Sequence, residues 1–163
     1  MTTDDRLGGG VERMLTDLYP GMLRFAGVVG SAGVEPSDLV QEAVLRTLRV
    51  HPDLVELDNP GAYLRRAILS VAKNRLKAVA RRRLIVHHLV AEPSVNAWFP
   101  SDLGDLLRLA PETRALLYLT VVEGHTHAEA AAIVGCTENA ARARSSRGLR
   151  RLRAQLTEEA RND

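Results

Sequence analysis

The sequence has a single cysteine, Cys136, and few aromatic side chains: one Trp, three Tyr and two Phe, 4% of 163 residues. One thiol cannot close an internal disulfide, which excludes a disulfide-stapled secreted scaffold and suits a reducing compartment. No apolar run approaches the roughly 18 residues needed to cross a bilayer, so no membrane insertion is expected. The opening MTTDDRLGGG is acidic and glycine-rich, unlike a secretory leader, and reads as a short disordered lead-in of a cytoplasmic protein. There is no P-loop, no glycine-rich dinucleotide turn and no nucleophile elbow, so an enzyme is not expected. His87, His88, His125, His127 and Cys136 show no zinc-ligand spacing. Neither a metal nor any other cofactor is expected.

What the chain does have is aliphatic residues and arginine. Hydrophobic residues make up 45% of it, enough for a folded core, and the dominance of Ala, Leu, Val and Arg favours helices packed on aliphatic side chains. The net charge of +2 hides a strong alternation. Residues 1–60 carry five Arg against ten acidic residues, whereas residues 61–90 carry eight Lys or Arg and no acid. Residues 91–137 are acidic again and residues 138–163 basic. Such an arrangement suits one surface for nucleic acid and another for a different partner.

Apolar residues from Val11 to Val29 recur at spacings of three and four, one face of a helix expected to kink or break near Pro20-Gly21. A second helix should open at Pro36, bury Leu39, Val40, Ala43, Val44 and Leu48, and stop near His51-Pro52. The stretch HPDLVELDNP reads as a loop. Asn59 then has the character of an N-cap and Pro60 of a first helical residue. The third helix should run to about Arg83 with Leu64, Ala67, Ile68, Val71, Leu76 and Val79 inside. Periodicity is lost over residues 84–102, a linker in which Trp98 and Phe99 are expected to dock onto a domain. The expectation is an all-α chain of two small domains: a three-helix bundle over 10–83 and a second helical domain over 103–158.

In that second block Pro111 opens a helix with Leu116, Leu117, Leu119 and Val122 inside. Thr126-His-Ala-Glu129 is a capping box, and the short helix it starts ends at Gly135. Thr137 caps a longer helix from Glu138 to about Glu158. A short capped helix, a glycine-containing turn and a longer second helix make the helix-turn-helix pattern, in which the first helix braces the second so that its N-terminal turns can enter a major groove. Arg142, Arg144, Arg147, Arg150, Arg151 and Arg153 crowd onto that second helix. Arginine grips phosphates or bonds bidentately to guanine. Asn139, Arg142 and Arg144 are assigned to the groove and its walls, and Arg147 and Arg151 to phosphates. Thr137 is an N-cap first and a phosphate contact second.

The segment LAPETRALLYLTVVEGHTHAEAAAIVGCTENAARARSSRGLRRLRAQL resembles region 4 of the extracytoplasmic-function sigma factors, which reads the minus-35 promoter element. PSDLVQEAVLRTLRV resembles the conserved helix of their region 2, and NPGAYLRRAILSVAKNRLKAVARRR the helix that follows it. The two blocks stand in the family's order and cover roughly residues 10–83 and 103–156. The resemblance implies a sigma factor that directs core RNA polymerase to promoters and assists melting. The alternative is a sigma-like helix-turn-helix regulator that does not support initiation.

It also implies roles. Asp38, Gln41 and Glu42 would dock on the polymerase. Asn59, Tyr63, Arg66, Lys73, Asn74 and Arg75 would capture a flipped base of the melted minus-10 element and guide its strand. Arg81, Arg82 and Arg83 would grip backbone phosphates. Partners implied are core RNA polymerase, promoter DNA and, as for many members, an anti-sigma factor covering the same surfaces. The chain departs from the family in carrying Tyr63 where Trp is frequent, Ala78 where Asp is frequent, and histidine at 125 and 127.

Overall fold

The computed structural model describes residues 3–85, 104–159 and 161, all helix and connecting turns with no strand among them. The expected linker therefore lies almost wholly outside the described residues, and so do Trp98 and Phe99. Helix α1 spans Thr3–Val29 without the expected break: Pro20 sits inside it, and the helix takes in the glycines that read as a disordered lead-in. A proline ring removes one backbone donor, and a helix can carry that loss when flanking turns are held by packing. Met22, Phe25, Ala26 and Val29, just beyond the proline, are fully buried.

Helix α2 (Pro36–Val50) begins and ends where its proline signals put it and buries Leu39, Val40 and Ala43. The loop after it contains a 3-10 turn, Leu54–Glu56, that buries Leu54 completely. Helix α3 (Pro60–Ile85) is capped by Asn59, whose Oδ1 accepts the backbone N–H of Ala62 at 2.9 Å. Its buried stripe is Leu64, Ile68, Leu69, Val71 and Ala72. Leu76 and Val79, expected inside, are exposed. The stripe would continue at position 75, but there Arg75 meets Glu42 of α2, with Nε 3.1 Å from Oε2, so an ion pair closes that end of the core.

The second block opens with the short α4 (Gly104–Leu107) and α5 (Pro111–Leu117). Helix α5 continues through a wider, π-type turn at Tyr118–Val122. That turn inserts a residue into the helical period. Val122 is thereby 67% exposed rather than buried, and the inward position passes to Glu123, whose side chain is 16% exposed. Gly124, at φ +74°, ends the element. Helix α6 (His127–Val134) has the full capping box: Thr126 Oγ1 accepts from Glu129 N–H at 3.2 Å, and Glu129 accepts from Thr126 N–H at 2.7 Å. Left-handed Gly135 (φ +81°) turns the chain into α7 (Glu138–Glu159).

The two blocks pack on each other: α1 and α3 touch α5, and α3 also touches α6. Buried residues of both fall in one continuous core. Phe25 of α1 meets Tyr118 edge to face, with ring centroids 6.0 Å apart.

Candidate nucleic-acid interface

Helix α7 is set by small residues on its inner side. Ala141 and Ser145 are buried, and a Cβ at Gly148 would lie 2.7 Å from Thr113 Cγ2 of α5, so glycine there lets the two helices close up. Thr137 caps the helix through Oγ1, which accepts the N–H of Ala140 at 3.2 Å. With the inner side fixed, the helical period puts Asn139, Arg142, Ser146, Arg150 and Arg153 on one flank of the outer face. Arg144, Arg147 and Arg151 lie on the other. His127 joins the first flank, and together with Arg142, Ser146, Leu149, Arg150 and Arg153 it lines a shallow groove beside the start of α6.

The site expected from sequence is thus divided between two flanks. Arg150, Arg153, Ser146 and His127 have no assigned role in the sequence expectation, although they share the groove with Arg142. Only a fixed rotation of the helix makes that grouping visible. Arg142 is held by Glu138 through an i, i+4 pair, with Nε 3.0 Å from Oε1, so it must exchange a carboxylate for any nucleic-acid partner. Arg147 and Arg151 are exposed, as phosphate contacts require.

The residues expected to handle a melted strand do not all come together. Asn59, Tyr63 and Arg66 line one groove of about 370 Å³, whose far wall is His125, Glu129, Ala132 and Ile133 of the second block. His51 stacks edge-on to Tyr63 at 5.0 Å and orients its ring. The Arg66 guanidinium lies directly over Gly135, within 3.1 Å of where a Cβ would stand. Lys73 is ion-paired across the junction, Nζ to Glu112 Oε1 at 2.6 Å. Arg75 lies elsewhere, in the groove on α2 lined by Asp38, Gln41, Glu42, Leu45 and Arg46. Asn74, Arg81 and Arg82 are exposed, and the side chain of Arg83 lies outside the described residues.

The polymerase-docking candidates do share a face. Asp38 and Gln41 are exposed at the front of α2. Glu42 bonds Arg46 and Arg75, and chiefly the hydrogen bond from Arg75, against the opposing effect of burial, holds its carboxyl below the ordinary 4.5.

Arg114, unremarked in the sequence, is 2% exposed in the centre of the junction. Burial lowers its pKa to about 10, with Glu112 nearby opposing the shift. At neutral pH it remains charged. Among the described residues no group of three or more His, Cys, Asp or Glu is placed to hold a metal ion. No described helix is long and apolar enough to cross a membrane.

Residues 106–152 match the family model for sigma-70, region 4. Over its length the chain has the fold of the sigma factor RpoE from Bartonella quintana, solved as a co-crystal with the anti-sigma factor NepR. The TM-score is 0.73 at 22% identity, over 91% of this chain and 97% of that one. Comparison with curated protein sequences finds no match. The helix-turn-helix accordingly lies in a segment that matches sigma-70 region 4, and the chain has the fold of a sigma factor.

Proposed function

We propose that this chain is an extracytoplasmic-function sigma factor: it carries core RNA polymerase to specific promoters and assists strand opening, with no chemistry of its own. One observation carries the reading. A region 4 module with an arginine-covered outer face is joined to a helical block that completes the fold of a sigma factor. A stand-alone regulator would need only the first of these.

In this reading α7 reads duplex DNA at the upstream promoter element. Arg142, Arg150 and Arg153 lie along the groove flank, and Arg147 and Arg151 meet phosphates. Asp38 and Gln41 at the front of α2 meet the polymerase. The groove at Asn59, Tyr63 and Arg66 takes an unpaired base, and the basic side chains farther along α3 steer its strand. Contacts formed only after melting lower the free energy of the open state relative to the closed duplex. Core RNA polymerase and promoter DNA are the partners, in the cytoplasm. The similar Bartonella quintana protein is bound by an anti-sigma factor, which supports a partner of that kind here.

The test is binding of the purified chain to core RNA polymerase, with Asp38→Arg and Arg150→Ala as variants. Tight binding by the wild type and by Arg150→Ala, with loss in Asp38→Arg, upholds the reading and separates the two surfaces. Duplex-DNA binding without any affinity for core polymerase would replace it with a regulator that does not support initiation.

A further inference from the structure

Over residues 139–157 helix α7 carries six arginines and no acid. Glu138 stands just before this run, as the first helical residue after the Thr137 cap. That end of the helix is the one that enters a major groove. Glu138 Oε1 accepts from Arg142 twice, from Nε at 3.0 Å and from Nη2. Both side chains are exposed, and among the described residues Glu138 Oε2 and Arg142 Nη1 have no partner. The helix dipole and an i, i+4 pair both favour a glutamate here, but neither requires it to share a flank with the DNA-reading arginines. Against a polyanion that placement costs affinity, because the carboxylate repels phosphates and occupies a cation.

We infer that Glu138 and Arg142 form one reading unit for a single G·C base pair, with Glu138 as a specificity-determining residue. The inference rests on the proposed function for the reading of duplex DNA by α7. In the major groove a G·C pair presents two acceptors, guanine N7 and O6, beside one donor, the cytosine N4–H. Glu138 and Arg142, once released from each other, present the complement. The guanidinium fork supplies two donors and the carboxylate one acceptor, so both residues regain what they gave up. A phosphate satisfies Arg142 alone and leaves the carboxylate unpaired against the anionic backbone. An A·T pair sets a donor between two acceptors, so the fork meets only one of them. Glu138 thus competes for Arg142 against every partner, and only the matching base pair displaces it without loss.

The experiment selects bound sequences from a pool of randomised DNA duplexes, using the full chain as wild type, Glu138→Ala, Glu138→Gln and Arg142→Ala. Affinities are then measured on the selected duplex, on its single base-pair variants and on a mixed-sequence duplex across a salt series. Circular dichroism checks helicity. Wild type should prefer G·C over A·T at one position by about tenfold. Arg142→Ala and Glu138→Ala should each lose that preference at the same position and keep the others. Glu138→Ala should at the same time bind the mixed-sequence duplex more tightly, with a salt slope steeper by about one unit as Arg142 passes to a phosphate. Glu138→Gln keeps the side-chain length at the helix start and should change in the same direction. A glutamate that served only to start the helix would, when replaced, weaken every duplex alike.

Glu138 variants that keep the preference overturn the inference, and so does a wild type without a G·C preference at any position. An Arg142→Ala variant that weakens all duplexes equally would make Arg142 a phosphate contact, and overturns it too. Retention on core RNA polymerase, measured with the same proteins, tests the proposed function separately. Preference lost as expected in a chain without polymerase affinity upholds the reading unit and overturns the sigma factor. Polymerase affinity with an unaltered preference does the reverse.

Discussion

The guanidinium of Arg114 closes the C-terminal end of α1, donating to Gly30 at 2.8 Å and to Val29 at 3.1 Å across 84 and 85 residues of chain. The last carbonyls of a helix lack intrahelical donors and carry the negative end of its dipole, so a buried cation there is compensated without a carboxylate. Gly30 is part of the same device. A Cβ at Gly30 would stand 2.9 Å from Ala26 O and 3.1 Å from a methyl of Leu39, so a side chain would push α1 away from α2. Arg114→Lys keeps the charge but loses the fork that spans two carbonyls. It should lower unfolding stability by about 2 kcal/mol, within the range for hydrogen bonds to charged groups, as read by urea denaturation.

Gly148 makes a second, purely steric prediction. Alanine there improves helix propensity by about 1 kcal/mol. Its methyl, however, would press on Thr113 Cγ2 at 2.7 Å and Leu117 Cδ1 at 3.2 Å, both on the facing helix. Overpacking of this kind costs about 1–3 kcal/mol. Gly148→Ala should therefore be destabilising, and Gly148→Ala combined with Thr113→Ser, which removes the opposing methyl, should recover most of the loss. Thermal unfolding of the two variants checks the order.

Element boundaries and the helix-turn-helix were legible because they rest on local chemistry. Pro36, Asn59-Pro60, Pro111, Thr126 with Glu129, and Thr137 each act within one turn of their own position, and each stands at the helix start it signals. The misplaced residues all depend on something distant. Leu76 and Val79 face outward on the part of α3 where Arg75 pairs with Glu42 on another helix. Val122 faces outward because a π-type turn shifts the period. Leu69 and Ala72, absent from the expected core, are buried in a structure whose α3 has neighbours in both blocks. The same holds at the candidate site. Arg residues on α7 could be counted from sequence, but their grouping needs the side that Gly148 and Ser145 fix. Arg114 could be found only by tracing which carbonyls lie open at the end of α1.

The capping box gives a local prediction. Thr126 and Glu129 satisfy each other's backbone donors, and the hydrogen bond from the Thr126 N–H, followed by that from its hydroxyl, draws the Glu129 carboxyl below the ordinary 4.5. Thr126→Ala removes the cap and should cost about 1 kcal/mol. Because α6 braces α7, the same change should weaken duplex binding while leaving polymerase binding intact. An equal loss of both would mean that the substitution unfolds more than the helix-turn-helix.

Salt dependence separates the two flanks of α7. Each phosphate contact contributes about one unit to the slope of log affinity against log salt. Arg147→Ala and Arg151→Ala should each lower the slope by about one and weaken all sequences alike. Arg150→Ala and Arg153→Ala, on the groove flank, should relax discrimination between promoter sequences. If all four behave identically, the division into flanks has no functional meaning.

Acid should loosen the chain from two places at once. Burial by itself would raise the Glu112 carboxyl, but the hydrogen bond from Lys73, with its own backbone and nearby cations including Arg144, outweighs it and holds the group below 4.5. Glu42 is likewise held low, chiefly by Arg75. A carboxylate whose native pKa lies below its unfolded value contributes stability in full above the unfolded value, and loses it as pH falls through the native one. The contribution of both pairs should therefore be constant down to about pH 5 and fall away below 4.5. Glu112→Gln removes one titrating partner and should flatten the acid limb of a stability-against-pH curve. Its effect should appear in the compactness of the chain as well, since Glu112 faces Lys73 across the junction. Glu42→Gln should flatten the same limb without altering compactness, because Glu42, Arg46 and Arg75 all belong to the first block. A Glu42 variant that opened the chain would show that the two blocks are coupled through α3 rather than held by the contacts between them.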